Sequence, residues 1–349
     1  MDNILCVEWQ ALQRFTTAVF RGLGMPPADA ELEAEVLVWA NLRGVDSHGV
    51  QRIAEYSRAV DEGNMNPRPR IRVEKESAAA LLVEGDRAFG PVVTVYSLNL
   101  AMAKARREGV AWALIRNTTH QGAMGYYTQR AARQGIAAIA VVCNPPNMAP
   151  PGARAAGVHN SPISIAVPAG ADGDLTLDMA TSVAAGGKVQ VAVDKGMEIP
   201  LDWALDADGR PTPDPRQAKF LQPAGGYKGY GLALMFECLS SLMAGNPLVT
   251  STIVGPEPVR PGTQNSFLAV LDVGFFTDPA EYRCNVDLLI RTEKGLPRLP
   301  GVEEILVPGE PEARVLADRL AHGIPLPAGT MAKLQAAAER FGLAVPSPC

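Results

Sequence analysis

The chain has 349 residues, enough for more than one hydrophobic core, with 47% hydrophobic and 20% charged residues. Its 37 acidic and 32 basic residues leave a net charge of −5, which argues against a nucleic-acid surface, and no run of Lys and Arg forms a basic tail. The longest apolar stretch, Ile136–Cys143, is too short to span a bilayer, and Met1-Asp2-Asn3 lacks the features of a secretion signal, so no membrane or export role is expected.

The first sixty residues read as helices. Leu12, Phe15, Val19, Phe20 and Leu23 recur at helical spacing, and Gly24-Met25-Pro26-Pro27 stops them. Leu32, Val36, Trp39 and Ala40 mark a second helix that ends near Gly44. Asp46 or Ser47 then caps a third, with Ile53, Tyr56 and Val60 inward and Gly63 closing it. The turn-rich run from Asn64 to Pro69 sets a first boundary.

Beyond residue 70 the period changes to that of strands. Ile71 with Val73, then Leu81-Leu82-Val83, are short strand candidates, followed by a helix over 91–108 stopped by Gly109. Residues 110–115 predict a strand, 122–134 a loop and helix, and Ile136–Cys143 a buried strand, together a strand-helix-strand unit. Further strands are expected at Ile163–Val167 and over 175–178, a helix over 231–244 ended by Gly245, and strands over 267–273 and 286–290. Helices over 312–321 and 331–341, the latter capped by Thr330, close the chain. This alternation predicts an α/β core.

Four segments carry candidate chemistry. Arg43-Gly44-Val45-Asp46-Ser47-His48-Gly49-Val50-Gln51-Arg52 puts a histidine at a predicted helix start, with an arginine one turn on. Imidazole moves protons near neutral pH, a guanidinium clamps a carboxylate at two points, and positions i and i+4 share a helix face. A helix-start histidine also has a bland reading, a hydrogen bond to a neighbouring carbonyl. Asn117-Thr118-Thr119-His120-Gln121-Gly122 follows a strand, where α/β sheets favour ligands; His120 either does acid-base work or ties the loop.

Gly225-Gly226-Tyr227-Lys228-Gly229-Tyr230-Gly231 runs into a helix and could cradle phosphate, although glycine-rich helix starts without ligands are common. There is no P-loop and no Gly-x-Gly-x-x-Gly dinucleotide fingerprint. Asp178-Met179-Ala180-Thr181-Ser182 follows another strand; Asp178 either caps a helix or holds a cofactor hydroxyl. His322 suits a last helical turn, and His159 lies in the loop Gly157-Val158-His159-Asn160-Ser161-Pro162. No cluster has metal-ligand spacing. Cys6, Cys143, Cys238, Cys284 and Cys349 are odd in number and widely spaced, as expected of free thiols in a reducing cytoplasm.

In their order and spacing these segments, with Pro308-Gly309-Glu310, resemble the malate/L-lactate dehydrogenase family that lacks the usual Rossmann fold. The resemblance runs over nearly the whole chain. It implies an α/β, non-Rossmann NAD(P)-binding core over 70–305, with a helical domain built from residues 1–69 and 306–349, and a homodimer. It implies an NAD- or NADP-dependent oxidoreductase acting on a small 2-hydroxy or 2-oxo acid such as malate or lactate. By motif position, His48 or His120 transfers the proton; in the mechanism this suggests, Arg52 holds the substrate carboxylate and Ser47 orients an imidazole by hydrogen bonding. Asn144, Asp178, Met179, Ala180, Thr181, Ser182, Lys228, Gly229, Pro308, Gly309 and Glu310 contact the cofactor.

The chain departs from the family pattern Gly-Thr-Asn-Pro in the loop ending His159-Asn160-Ser161-Pro162. A cyclic-imine or ureidoglycolate-type substrate, a non-redox lyase or racemase of hydroxy acids, and a metabolite sensor without turnover stay open as alternatives.

Overall fold

The computed structural model describes residues 5–171, 173–249 and 259–347. The helical chain ends form one layer. α1 (Trp9–Gly22), α2 (Pro27–Leu42) and α3 (Ile53–Asp61) share a core with α11 (Ala328–Phe341) and β11 (Ile324–Leu326). Leu12, Phe15, Val19 and Phe20 of α1 meet Leu37, Ile53, Tyr56 and Leu334 there. Strand β1 (Leu5–Val7) pairs antiparallel with β11, so opposite ends of the sequence are hydrogen-bonded together.

The middle of the chain builds a seven-stranded sheet in the order β2-β3-β4-β10-β5-β6-β7. These are β2 (Arg72–Glu76), β3 (Ala80–Glu84), β4 (Val110–Thr118), β5 (Ile136–Cys143), β6 (Ile163–Val167), β7 (Leu175–Met179) and β10 (Gln264–Asp272). The alternation of side chains across β5 explains its unbroken apolar run. Ile136, Ala138, Ala140 and Val142 face α4 (Gly90–Glu108) and α5 (Gly125–Ala132) on one side. Ile139, Val141 and Cys143 face Phe236 of α7 (Tyr227–Glu237) on the other.

Only β3 and β4 pair in parallel, across α4; every other neighbouring pair is antiparallel, unlike a Rossmann sheet. The expected unit β4-α5-β5 is split, because β10 inserts between its two strands. Smaller elements complete the core: α6 (Gly186–Lys195), the hairpin β8 (Ala204–Leu205) with β9 (Phe220–Leu221), and the single turn α8 (Val273–Phe276).

Four local expectations need correction. The strand predicted over 286–290 lies inside helix α9 (Pro279–Lys294). Pro279 opens that helix, Asp278 caps it by accepting from the Ala280 and Glu281 amides, and Tyr282, Val286 and Ile290 form its inner stripe. The last helix starts at Ala328, so Thr330 is inside it and is not its cap. The helix expected from 231 starts at Tyr227 and passes into a π turn, Cys238–Leu242, so Lys228, Gly229 and Gly231 are helical. No continuous helix starts at Asp46 or Ser47: two 3-10 turns, Asp46–His48 and Val50–Arg52, precede α3.

Candidate active site

Asn41, at the end of α2, shapes the Asp46–Arg52 segment. Its Oδ1 accepts the Val50 amide at 2.8 Å and its Nδ2 donates to Asp46 at 2.6 Å. A Cβ at residue 49 would sit inside this carboxamide, so only glycine lets the chain pass over it. The Gly49 backbone is extended there, which breaks the predicted helix and removes the shared i, i+4 face of His48 and Arg52. Arg319 of α10 (Glu310–His322) ties Asp46 down with bonds of 2.7 and 3.0 Å.

His48 and Arg52 nevertheless converge. The Ser47 hydroxyl lies 2.9 Å from His48 Nδ1. Arg52 Nε donates to the Ser47 carbonyl at 2.8 Å and Nη1 to Glu55 at 2.6 Å. The His48 ring stacks on His120, with centroids 5.3 Å apart and planes 27° apart. Burial, aided by the Arg52 charge, lowers His48 to about 4.

His120 reaches the same point from the end of β4. The backbone that follows is pinned: Thr119 donates to the Ala88 carbonyl through both its amide and its hydroxyl, and the Gln121 amide donates to Gln264. Gly122 has φ +70°, which favours glycine, and its amide donates to His120 Nδ1 at 3.3 Å. Tyr56 Oη lies 2.5 Å from the same nitrogen, and burial keeps its phenol protonated. A backbone amide can only donate, so Nδ1 is an acceptor and neutral His120 carries its proton on Nε2. Burial, then the Arg52 and His48 charges, push its pKa well below the imidazole range.

The carboxyl end of β5 and its neighbours extend this edge. Asn144 Nδ2 donates to His159 Nε2 at 3.0 Å. Asn160 accepts from Asn147 and donates to Ser182 at 3.0 Å, and its carbonyl accepts the Thr181 amide. Asp178 accepts the Gly125 amide at the start of α5 at 2.7 Å, so its capping role is real but serves a helix 53 residues away. Surrounding protein raises this carboxyl to about 6, although one side of it meets solvent. Thr181 Oγ1 and His159 Nδ1 are shielded from solvent and have no protein partner. Gly229 packs where a Cβ would overlap the Thr181 carbonyl, and Lys228 beside it is exposed.

Comparison with known proteins fits this arrangement. The family model described as malate/L-lactate dehydrogenase matches residues 7–335. The chain belongs to the malate/L-lactate dehydrogenase family. It is 34% identical to a malate dehydrogenase of Pyrococcus horikoshii, covering 98% of this chain and 97% of that one. It is 38% identical to an L-sulfolactate dehydrogenase of Methanocaldococcus jannaschii, over 85% and 86% of the two chains. The solved sulfolactate dehydrogenase of that organism superposes with a TM-score of 0.89 at 33% identity, covering 98% of each chain. A malate dehydrogenase from Entamoeba histolytica superposes with a TM-score of 0.94 at 25% identity, over 99% and 100% of the chains. The protein is thus an oxidoreductase of a hydroxy-acid dehydrogenase family.

Within this family member, Ser47, His48, Arg52 and His120 stand together, and residues 178–182 with Gly229 form the neighbouring stretch of the same edge. Pro308-Gly309-Glu310 lies outside β7: the Pro308 carbonyl accepts the Thr176 amide, and Arg43 donates to the Gly309 carbonyl. Glu310 is already held by Lys294 and Arg314, which keep its carboxyl near 2. Sequence reasoning gave Tyr56 only a core role and gave Asp46 only capping. The contacts that change both readings come from His120 and Arg319, 64 and 273 residues away. A cavity of about 350 Å³ lined by Val60, Met65, Asp86, Arg87 and Arg260 contains no histidine, and Arg87 there is spent on Asn64, Pro261 and Thr263. Among the described residues no cluster of His, Cys, Asp and Glu could hold a metal ion, and Cys6, Cys143, Cys238 and Cys284 are unpaired.

Proposed function

We propose that the protein is an NAD- or NADP-dependent dehydrogenase that moves a hydride between the nicotinamide and a small 2-hydroxy or 2-oxo acid, of which malate and lactate are examples. One observation carries this reading: two stacked, neutral imidazoles of different hydrogen-bonding character beside an arginine. The partnerless Thr181 Oγ1, the exposed Lys228 and the stretch 178–182 at the end of β7 suit a ligand with amide, hydroxyl and phosphate groups, as a dinucleotide has. Asn144, Asp178, Met179, Ala180, Thr181, Ser182, Lys228, Gly229, Pro308 and Gly309 are the residues we assign to it. Glu310 would act there only by holding the turn.

A bound nicotinamide would take up or supply the hydride. Arg52 holds the substrate carboxylate, for which Nη2 is free of hydrogen bonds to described residues. In oxidation the 2-hydroxyl proton passes to Nε2 of His48, whose Nδ1–H is received by Ser47. The Nε2–H of His120 donates to the same oxygen as it becomes a carbonyl. In reduction protonated His48 returns the proton. His120 does not cycle in this scheme, because protonating its Nδ1 would set an N–H against the Gly122 amide, which can only donate. Substrate binding neutralises Arg52 and so eases protonation of His48.

The decisive assay follows absorbance at the reduced nicotinamide band with a panel of 2-oxo acids, using NADH and NADPH in turn. His48→Ala and His120→Ala are expected to lower turnover by roughly a hundredfold or more while the fold persists. A wild-type chain that consumes hydroxy acid without any nicotinamide change would replace this reading with the lyase or racemase one. The same reading takes the chain as a homodimer, supported by an exposed apolar stripe, Leu232, Met235, Leu239 and Met243, along α7 and its π turn.

A further inference from the structure

We propose that Arg319 is a positioning residue for proton transfer: by clasping Asp46 it fixes the turn that sets the His48 ring and, through the Ser47 carbonyl, the Arg52 guanidinium. The inference rests on the dehydrogenase reading above and adds to its machinery a residue from the far end of the chain. Ser47 and His48 sit in a single 3-10 turn, Asp46–His48. Its own bonds are few: the His48 amide donates to the Val45 carbonyl at 2.9 Å and the Gly49 amide to the Asp46 carbonyl at 3.0 Å. A turn this short does not hold its geometry unaided. Its rigidity has to come from contacts outside it.

The Asp46 carboxylate is where those contacts meet. Arg319 Nη1 and Nη2 donate to its two oxygens at 2.7 and 3.0 Å, and Asn41 Nδ2 adds a third bond at 2.6 Å. Arg319 Nη1 also donates to the Asn41 carbonyl, so one guanidinium joins the end of α2 to the turn. The arginine side chain is only 13% exposed, which shields its share of the pair from water. The helix that carries it is anchored along its length. At its start the Pro308 carbonyl accepts the Thr176 amide of β7, and the Gly309 carbonyl accepts Arg43. Further on, Val315 packs against Gly44, where a Cβ would lie 3.2 Å from the valine methyl. Arg319 therefore reaches Asp46 from a fixed support. A lysine there would keep the charge but could not span both oxygens.

Loosening the turn lets water reach the His48 ring, whose burial, with the Arg52 charge, holds it at about 4. Its pKa then rises, and less of the base form is left at pH 5. Arg52 and His120, the titratable groups that face this ring, are unaltered in the variants. The test is oxidation of malate or lactate, with kcat/KM measured at pH 7 and at pH 5. Wild type is expected to give the same value at both. Arg319→Ala should lose about tenfold to a hundredfold at pH 7 and fall further at pH 5. Asp46→Ala should do the same, and the double variant should be no worse than the weaker single, because the pair acts as one unit. Arg319→Lys should lie between wild type and Arg319→Ala, and it keeps the proposal testable if the alanine variant does not fold. Four results would overturn the proposal. These are full activity in Arg319→Ala, a wild-type profile in Arg319→Lys, a loss at pH 7 with no further fall at pH 5, and single losses that multiply in the double variant. Wild type that reduces no nicotinamide with any 2-hydroxy acid would instead sink the dehydrogenase reading itself.

Discussion

His48 and His120 are the same residue type 72 positions apart, and the roles proposed for them differ because their hydrogen-bond partners differ. His120 receives the Gly122 amide and the Tyr56 hydroxyl on one nitrogen, which fixes its tautomer. Tyr56→Phe should lower turnover by about tenfold with little change in KM, because it loosens the ring without touching the carboxylate clamp. An unaltered kcat would remove Tyr56 as a positioning residue. His48 has a folded pKa of about 4, below the ordinary 6.5. Its base form therefore persists down to about pH 5, and acid activity is lost only as the pH falls through about 4. For hydroxy-acid oxidation, kcat/KM is expected to stay level from about pH 7 to pH 5. An acid limb centred near 6.5 would show that the depression is absent in solution.

At the scale of elements, the predicted helix from Asp46 illustrates how one contact overrides propensity. Helical spacing correctly gathered His48 and Arg52 but gave the wrong reason for their proximity. Close passage of Gly49 over Asn41 forces two short turns, and the arginine is brought back by its bond to the Ser47 carbonyl. Gly49→Ala inserts a methyl group where the Asn41 carboxamide sits. A loss of about 2 kcal/mol or more is expected in urea unfolding, with a larger loss of activity. A stable and active alanine variant would mean that Asn41 has somewhere else to go. The Lys228 segment carries a similar lesson. Its glycines suggested a phosphate cradle ahead of a helix from 231, yet Gly229 is already helical and is small because the Thr181 carbonyl lies against it. Helix α9 failed as a strand because four apolar residues over 286–290 obscured the longer Tyr282, Val286, Ile290 spacing.

For the whole molecule, one edge of the sheet gathers the ends of β4, β5 and β7 with the start of β10, and α10 from the chain's far end braces it through Arg319. An apolar stripe remains exposed along α7 and the π turn after it, where Met235 and, just past the turn, Met243 are each more than half exposed. The proposed homodimer would place a second copy over this patch, one of several exposed apolar sites that also include Phe275, Phe276 and Leu299. Light scattering should give twice the 37.0 kDa chain mass, and Met235→Glu should shift the particle toward one chain. A wild-type particle of single-chain mass at micromolar concentration would remove the dimer.

The sequence by itself determined the materials: an α/β chain with helical ends, strands at Ile136–Cys143 and Ile163–Val167, and two histidines with an arginine in segments bearing the family's motifs. Those features follow from local periodicity and residue chemistry, which are written along the chain. Only the tertiary structure decided that β10 divides β4 from β5, that Arg319 locks Asp46, that Tyr56 serves His120, and that Asn144 holds His159. These depend on contacts between residues as far as 273 positions apart, and neither periodicity nor spacing reports which distant partner will fill a given lone pair or gap. For the same reason the sequence left His48 and His120 interchangeable, whereas the structure gives each ring different hydrogen-bond partners.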